Sequence, residues 1–212
     1  MNDHEGDLLR RARSWAGHVV VDVAPAPAAG HKGGVGQRLE QALGLKPRFD
    51  DVDDPVSGIE VKTLPFAMGT RGQARVLEST FVTTASASTL VRETWATSRV
   101  KKKLARVLFV PVERSTSRIG AAFLYEPDDD DEAILRADWE DLSDFVAAGL
   151  GFAISARRGR VLQLRPKAKN AQTTTTVTTT STATCGEEIE IRPQGFYLRP
   201  KFTQQLIDQR FT

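Results

Sequence analysis

The stretch Asp53-Asp-Pro-Val-Ser-Gly-Ile-Glu60-Val-Lys62 holds the side chains most able to do chemistry. On an extended strand, residues two apart share a face, so Glu60 and Lys62 project together while Ile59 and Val61 enter a core. Asp53 lies seven residues before Glu60, across a Pro55–Gly58 bend able to fold it back beside that carboxylate. Asp53, Glu60 and the Val61 backbone carbonyl would offer oxygen ligands to a hard divalent cation such as Mg²⁺. Such a cation would neutralise phosphate charge and lower the pKa of a bound water, with Lys62 positioning that water or stabilising charge on phosphorus. Carboxylates alone repel a polyanion, so metal and lysine are both needed. The chemistry is phosphodiester hydrolysis. The competing reading is an exposed strand face beside an Asp-rich turn, because an acid followed by E-x-K also arises by chance. Asp50, Asp51 and Asp54 compete with Asp53 as metal ligand, although Asp54 points the opposite way if the segment is extended.

The elements that must position these residues follow from hydrophobic spacing. Helices are expected over Asp7–Ala16, Val35–Leu43 (closed by Gly44), an acidic amphipathic segment carrying Leu135, Trp139, Leu142 and Val146, and Phe202 to about Arg210. Strands are expected over Gly58–Pro65, Ser79–Ala85, Ala105–Val112 as a buried run, Ala121–Tyr125, Val161–Arg165 and Ile189–Arg192, with Gly195–Leu198 a turn or strand. Val21–Gly30, with Pro25 and Pro27, reads as an extended connector. Nine of the twelve residues from Thr173 to Thr184 are Thr, which fits a loop or hairpin. Mixed strands and helices without internal repeats give an α/β or α+β sheet with flanking helices.

At 212 residues the chain suits one domain, or one with two lobes around a cleft. Its apolar runs, such as Arg106–Val112, are too short to span a bilayer, and the polar residues Met1–Arg10 contain no hydrophobic signal region. A single cysteine, Cys185, excludes an internal disulfide and thiolate-rich metal sites, and three histidines in the first 31 residues leave little for zinc-hydrolase chemistry. A soluble protein of a reducing compartment is expected.

The net charge of +2 conceals segregation. Eight Lys/Arg against two acids lie between Arg92 and Arg118, and six Lys/Arg with no acid between Arg157 and Asn170. Ten acids and one Arg fill Glu126–Asp144. Two basic segments suggest a positive face for a polyanion, with solvated surface charge as the alternative.

Six ordered blocks together resemble the MutH family of bacterial mismatch-repair endonucleases. They are Lys32-Gly-Gly-Val-Gly-Gln-Arg-Leu-Glu40, Gly58-Ile-Glu-Val-Lys-Thr-Leu-Pro65, Glu78-Ser-Thr-Phe-Val82, the run Trp95–Glu113, Leu164-Arg-Pro-Lys-Ala-Lys-Asn-Ala171 and Gly195-Phe-Tyr-Leu-Arg-Pro-Lys-Phe-Thr203. The resemblance covers the chain from about Leu8 to its end. It implies a restriction-endonuclease-like PD-(D/E)xK fold, a mixed β-sheet flanked by helices, with two lobes around a DNA cleft. It also implies a cytoplasmic bacterial monomer that uses Mg²⁺ to nick the unmethylated strand of double-stranded DNA at hemimethylated or unmethylated GATC sites. MutL would activate it, with MutS acting through MutL.

Residue by residue, the resemblance places Asp53, Glu60 and Lys62 in the core motif, and adds Glu40 as a further active-site carboxylate and Lys103 as a further active-site lysine. Lys101 and Lys102 read as phosphate or solvent contacts. Arg165 and Lys167, flanking Pro166, match base readers, in keeping with Arg or Lys donating to guanine. Tyr197 matches the residue that senses the adenine methyl, Phe81 one that contacts DNA, and Lys32 is assigned to a backbone phosphate. The interval between Pro47 and Glu60 is longer than the family pattern, which leaves Asp50 as runner-up to Asp53, and the Thr-rich segment is unusual for it. The alternatives are a GATC-specific type II restriction enzyme of the same fold, for which no second catalytic copy is present, and a non-catalytic DNA-binding module.

Overall fold

A computed structural model describes residues 3–25, 34–45, 52–90, 92–148, 157–166, 175–178, 188–191 and 194–210. The chain divides into two compact units, one formed by Met1–Thr80, Lys103–Pro127 and Pro200–Thr212, the other by Phe81–Lys102 and Asp128–Arg199.

The first unit is built on a four-stranded mixed sheet in the order β2-β1-β4-β5. Its centre pairs β1 (Glu60–Met68) in parallel with β4 (Val107–Glu113), Glu60 opposite Val107. The short strands β2 (Ala74–Val76) and β5 (Phe123–Tyr125) lie antiparallel at the edges. β4 is apolar almost throughout because both of its faces are covered. On one face Leu108, Val110 and Val112 join Ile59 and Val61 against α1 (Asp3–Ser14), α2 (Val20–Val23) and α3 (Val35–Ala42), whose Leu8, Leu9, Ala12, Val20 and Leu39 complete the core. On the other, Phe109 stacks near Phe123 and Tyr125, and Tyr125 meets Phe202 of α7 (Pro200–Asp208) edge-on at 5.9 Å.

α7 also closes the sheet. Gln204 accepts the Val76 amide at 2.7 Å and donates to the Ala74 carbonyl at 3.0 Å, so one side chain occupies two outward peptide groups of β2.

The second unit carries a three-stranded sheet, β3-β9-β6, of β3 (Thr80–Ala85), β6 (Leu162–Pro166) and β9 (Gln194–Leu198). β6 and β9 are antiparallel, with Arg165 opposite Gly195 and Gln163 opposite Tyr197. The acidic helix is α6 (Asp129–Ala147), capped by the Asp128 carboxylate, and its Leu135, Trp139, Leu142 and Val146 are buried as their spacing requires. Short helical pieces α4 (Ala87–Leu90), the 3₁₀ turn Trp95–Thr97 and α5 (Arg99–Leu104) lead back to the first unit.

Two details depart from the sequence reading. α1 begins at Asp3, four residues earlier than expected. Val20–Val23 is a helical turn rather than extended chain, because Val20 and Ala24, four apart, both enter the core and the Ala24 amide bonds the Val20 carbonyl at 2.8 Å. In keeping with the hairpin alternative and with the strand expected over Ile189–Arg192, β7 (Thr175–Thr178) pairs antiparallel with β8 (Glu188–Ile191). Among the described residues no helix is long and apolar enough to cross a membrane.

Candidate active site

Glu60 opens β1, and its amide is fixed by the Arg106 carbonyl at 2.9 Å as the parallel pairing with β4 begins. Its side chain is almost fully buried, a state that a carboxylate tolerates only with charged partners. Two lysines supply them. Lys103, buried at the end of α5, places Nζ 3.0 Å from both carboxylate oxygens, and Lys62 donates to Oε1.

Asp53 is folded back onto this pair. Its amide donates to Glu60 Oε2 at 3.2 Å, and its own Oδ2 accepts the Val61 amide at 2.9 Å, a reciprocal clasp across the bend. Gly58, at φ +71°, supplies the left-handed residue that this bend needs. Asp54 does structural work instead. Its backbone bridges Ile59 at 2.8 and 3.1 Å, while its carboxylate accepts from Ser57 Oγ and the Val56 amide and meets His4 Nε2 at 3.0 Å. Asp50 and Asp51 lie outside the described residues.

Electrostatics tie Glu40 to the same cluster. It sits on α3 beside fully buried Leu39, and its carboxyl is pushed up to about 7. Burial is the main cause; the negative charges of Asp53 and Glu60 add to it, against the pull of Lys62 and Lys103. Asp53 is also raised, first by burial and then by Glu60, with the Val61 amide and the two lysines opposing. With two lysines facing Asp53 and Glu60, the charges of the cluster balance only while Glu40 keeps its proton.

The acids here offer oxygen ligands only, a donor type suited to a hard divalent cation. Among the described residues Asp53 Oδ1 takes no hydrogen bond, which leaves it open to a ligand. No ready-made cage of three or more metal-ligating side chains occurs among the described residues, so a cation held here would rest on Asp53, Glu60 and a backbone carbonyl. The donor chemistry fits.

A second group forms on the β3-β9-β6 sheet. Phe81 and Tyr197, both half-buried, pack edge to face with ring centres 5.3 Å apart, and the Arg165 guanidinium lies 5.7 Å from the Tyr197 ring. Gly195 makes this possible, since a Cβ there would stand 2.9 Å from Phe81 and 3.2 Å from Tyr197. Lys32 and Lys167 lie outside the described residues. Lys101, expected to meet phosphate or solvent, stays partly exposed. Its Nζ bonds Glu132 at 2.5 Å and lies 5.9 Å from the Trp95 ring centre, because α6 brings an acid back to it.

Sequence reasoning missed Asp138. It is buried and accepts the amides of Arg160, Val161 and Leu162 at 2.6–2.9 Å, anchoring the start of β6, the strand that presents Arg165. An acid at a position facing the helix's apolar stripe was the available signal.

The family model for DNA mismatch repair enzyme MutH matches residues 46–138, a span that contains Asp53, Glu60, Lys62 and Lys103. The DNA mismatch repair protein MutH of Pectobacterium atrosepticum is 39% identical over 222 residues, covering 98% of this chain and 93% of that protein. Its counterparts in Yersinia enterocolitica and Vibrio campbellii are each 38% identical, covering 98% and 96% of this chain and 93% and 92% of their own. Identity at this level along nearly the whole length extends the likeness well beyond the catalytic segment, and the chain belongs to the MutH family of DNA mismatch-repair endonucleases.

Proposed function

We propose that the protein nicks the unmethylated strand of double-stranded DNA at hemimethylated or unmethylated GATC sites, using Mg²⁺, as a monomer activated by MutL in response to MutS. The observation that carries this reading is the convergence of Asp53, Glu60, Lys62 and Lys103 in one partly enclosed cluster.

Asp53, Glu60 and the Val61 carbonyl are the groups that would hold the cation, whose charge would stabilise the phosphate and acidify a bound water. Lys103, bound to both Glu60 oxygens, orients that carboxylate. Lys62 is less buried than Lys103 and is the lysine placed to orient water or to meet charge developing on phosphorus. Glu40, holding a proton to about pH 7, is suited to exchange one with water near neutrality.

The second unit would read the site. Arg165 is exposed and suited to donate to a guanine edge, and Lys167 and Lys32 are assigned to a base and a phosphate by family resemblance. Tyr197, held by Phe81, would occupy the space of an adenine N6 methyl.

A nicking assay on plasmids carrying one unmethylated, hemimethylated or fully methylated GATC site, with MutL added or omitted, tests the reading. Single-strand nicks that need Mg²⁺, fail at the fully methylated site and rise with MutL are expected, together with loss of at least about 100-fold in Lys62→Ala. Double-strand cuts independent of MutL would point to a restriction enzyme. A Lys62→Ala variant as active as the parent would remove the assigned chemistry.

A further inference from the structure

Two like charges must stand together at this site before any cation arrives. Asp53 and Glu60 are both carboxylates and each is held by the backbone beside the other, so the clasp between them works against like-charge repulsion. Asp53 lies at the end of a bend, and what holds the bend holds the ligand pair.

Arg106 stands at both ends of that bend. Its carbonyl takes the Glu60 amide at 2.9 Å, fixing the first residue of β1. Its guanidinium donates through Nη1 to the Ser57 carbonyl at 2.6 Å, inside the bend itself. The remaining donors are fixed from two further elements. Nη2 reaches the largely buried Glu5 of α1 at 2.7 Å, and Nε reaches Glu126, just after β5, at 2.6 Å. All three guanidinium nitrogens are therefore committed, and the planar fork that allows this is particular to arginine. Arg106 also lies three residues after Lys103, so one short segment places the lysine on Glu60 and the arginine behind the bend. No contact carries Arg106 to the carboxylates directly; it acts through the chain.

We infer that Arg106 is a positioning residue for the metal-binding acids, bracing the Asp54–Gly58 bend against α1 so that Asp53 stays clasped to Glu60. The inference rests on the metal-nuclease reading above.

Mn²⁺ binding to the full chain, followed by the paramagnetic resonance of the free ion, tests it beside thermal melting, metal-free DNA binding and nicking. Arg106→Ala is expected to bind Mn²⁺ about tenfold more weakly, as loss of an outer support for metal ligands does. Its DNA affinity in EDTA should match the parent's, and its nicking should recover as Mn²⁺ is raised. Arg106→Lys keeps the charge and one bond but not the fork, and should fall between the two. A folded Arg106→Ala that binds Mn²⁺ within about twofold of the parent overturns the inference, because bracing of this kind must show in ligand affinity. If Arg106→Ala does not fold, Arg106→Lys decides in the same way: weaker Mn²⁺ binding supports the role and parental binding overturns it. A parent that binds no Mn²⁺ removes the metal-nuclease reading itself, and the role of Arg106 with it.

Discussion

Glu40 shows how a single carboxyl reports on its neighbours. Its carboxyl is raised from the ordinary 4.5 to about 7, so the folded protein holds a proton that the unfolded chain releases. The penalty for ionising it in place is absent below about pH 4.5, grows between there and pH 7, and is complete above. Glu40→Gln in metal-free buffer should therefore melt with the parent near pH 4.5 and above it at pH 8. Solvent around a half-buried group limits the gain to a few degrees. Equal melting temperatures at pH 8 would remove Glu40 from the cluster's field. Gly195 works by absence of a side chain. A methyl there meets two aromatic rings and the Thr83 carbonyl, so Gly195→Ala must displace Phe81 or Tyr197. Preference for unmethylated over methylated duplex should narrow in that variant while Mg²⁺ dependence stays, as measured by nicking of matched duplexes. Unaltered preference would detach methyl sensing from the aromatic pair.

At the scale of elements, acids on α6 divide into surface and structure. Asp138 serves three consecutive amides at the start of β6, and Gly159 before it sits at φ +83° with the Leu162 carbonyl only 2.0 Å from where a Cβ would be. Asp138→Ala strips these amides, of which that of Leu162 is buried, of their acceptor and should cost about 3 kcal/mol in urea unfolding. A loss below about 1 kcal/mol would mean that water replaces the carboxylate. The helical period could single out Asp138 among ten acids in nineteen residues as facing inward, but not the amides more than 20 residues later that it serves. The strand carrying Glu60 and Lys62 was legible, because its period of two separates chemistry from core. So was Asp53 over Asp54, through the Pro55–Gly58 bend. The strand β2 was not, since three residues give no period and its outer partner is a glutamine from α7.

For the whole molecule, charge along the chain is a poor guide to charge in space. Several bases between Arg92 and Arg118 pair with acids of the same chain, some buried and some on the surface. Lys101 pairs with Glu132, Lys103 with Glu60, Arg106 with Glu5 and Glu126, and Arg114 with Glu78. The basic segment therefore contributes less to a polyanion-binding face than its count suggests. Lys101→Ala is expected to leave the slope of log affinity against log salt for a GATC duplex unchanged. A fall of about one unit would make Lys101 a phosphate contact after all. Only pairing across tens of residues separates these cases, and no local pattern encodes it.

The glutamine of α7 that fills two outward peptide groups of β2 has a bearing on how this protein behaves in company. An open sheet margin invites a neighbouring chain to continue the ladder. Here the invitation is already answered from within, so crowding many copies on one stretch of chromosome need not seed growth of a shared sheet along that margin.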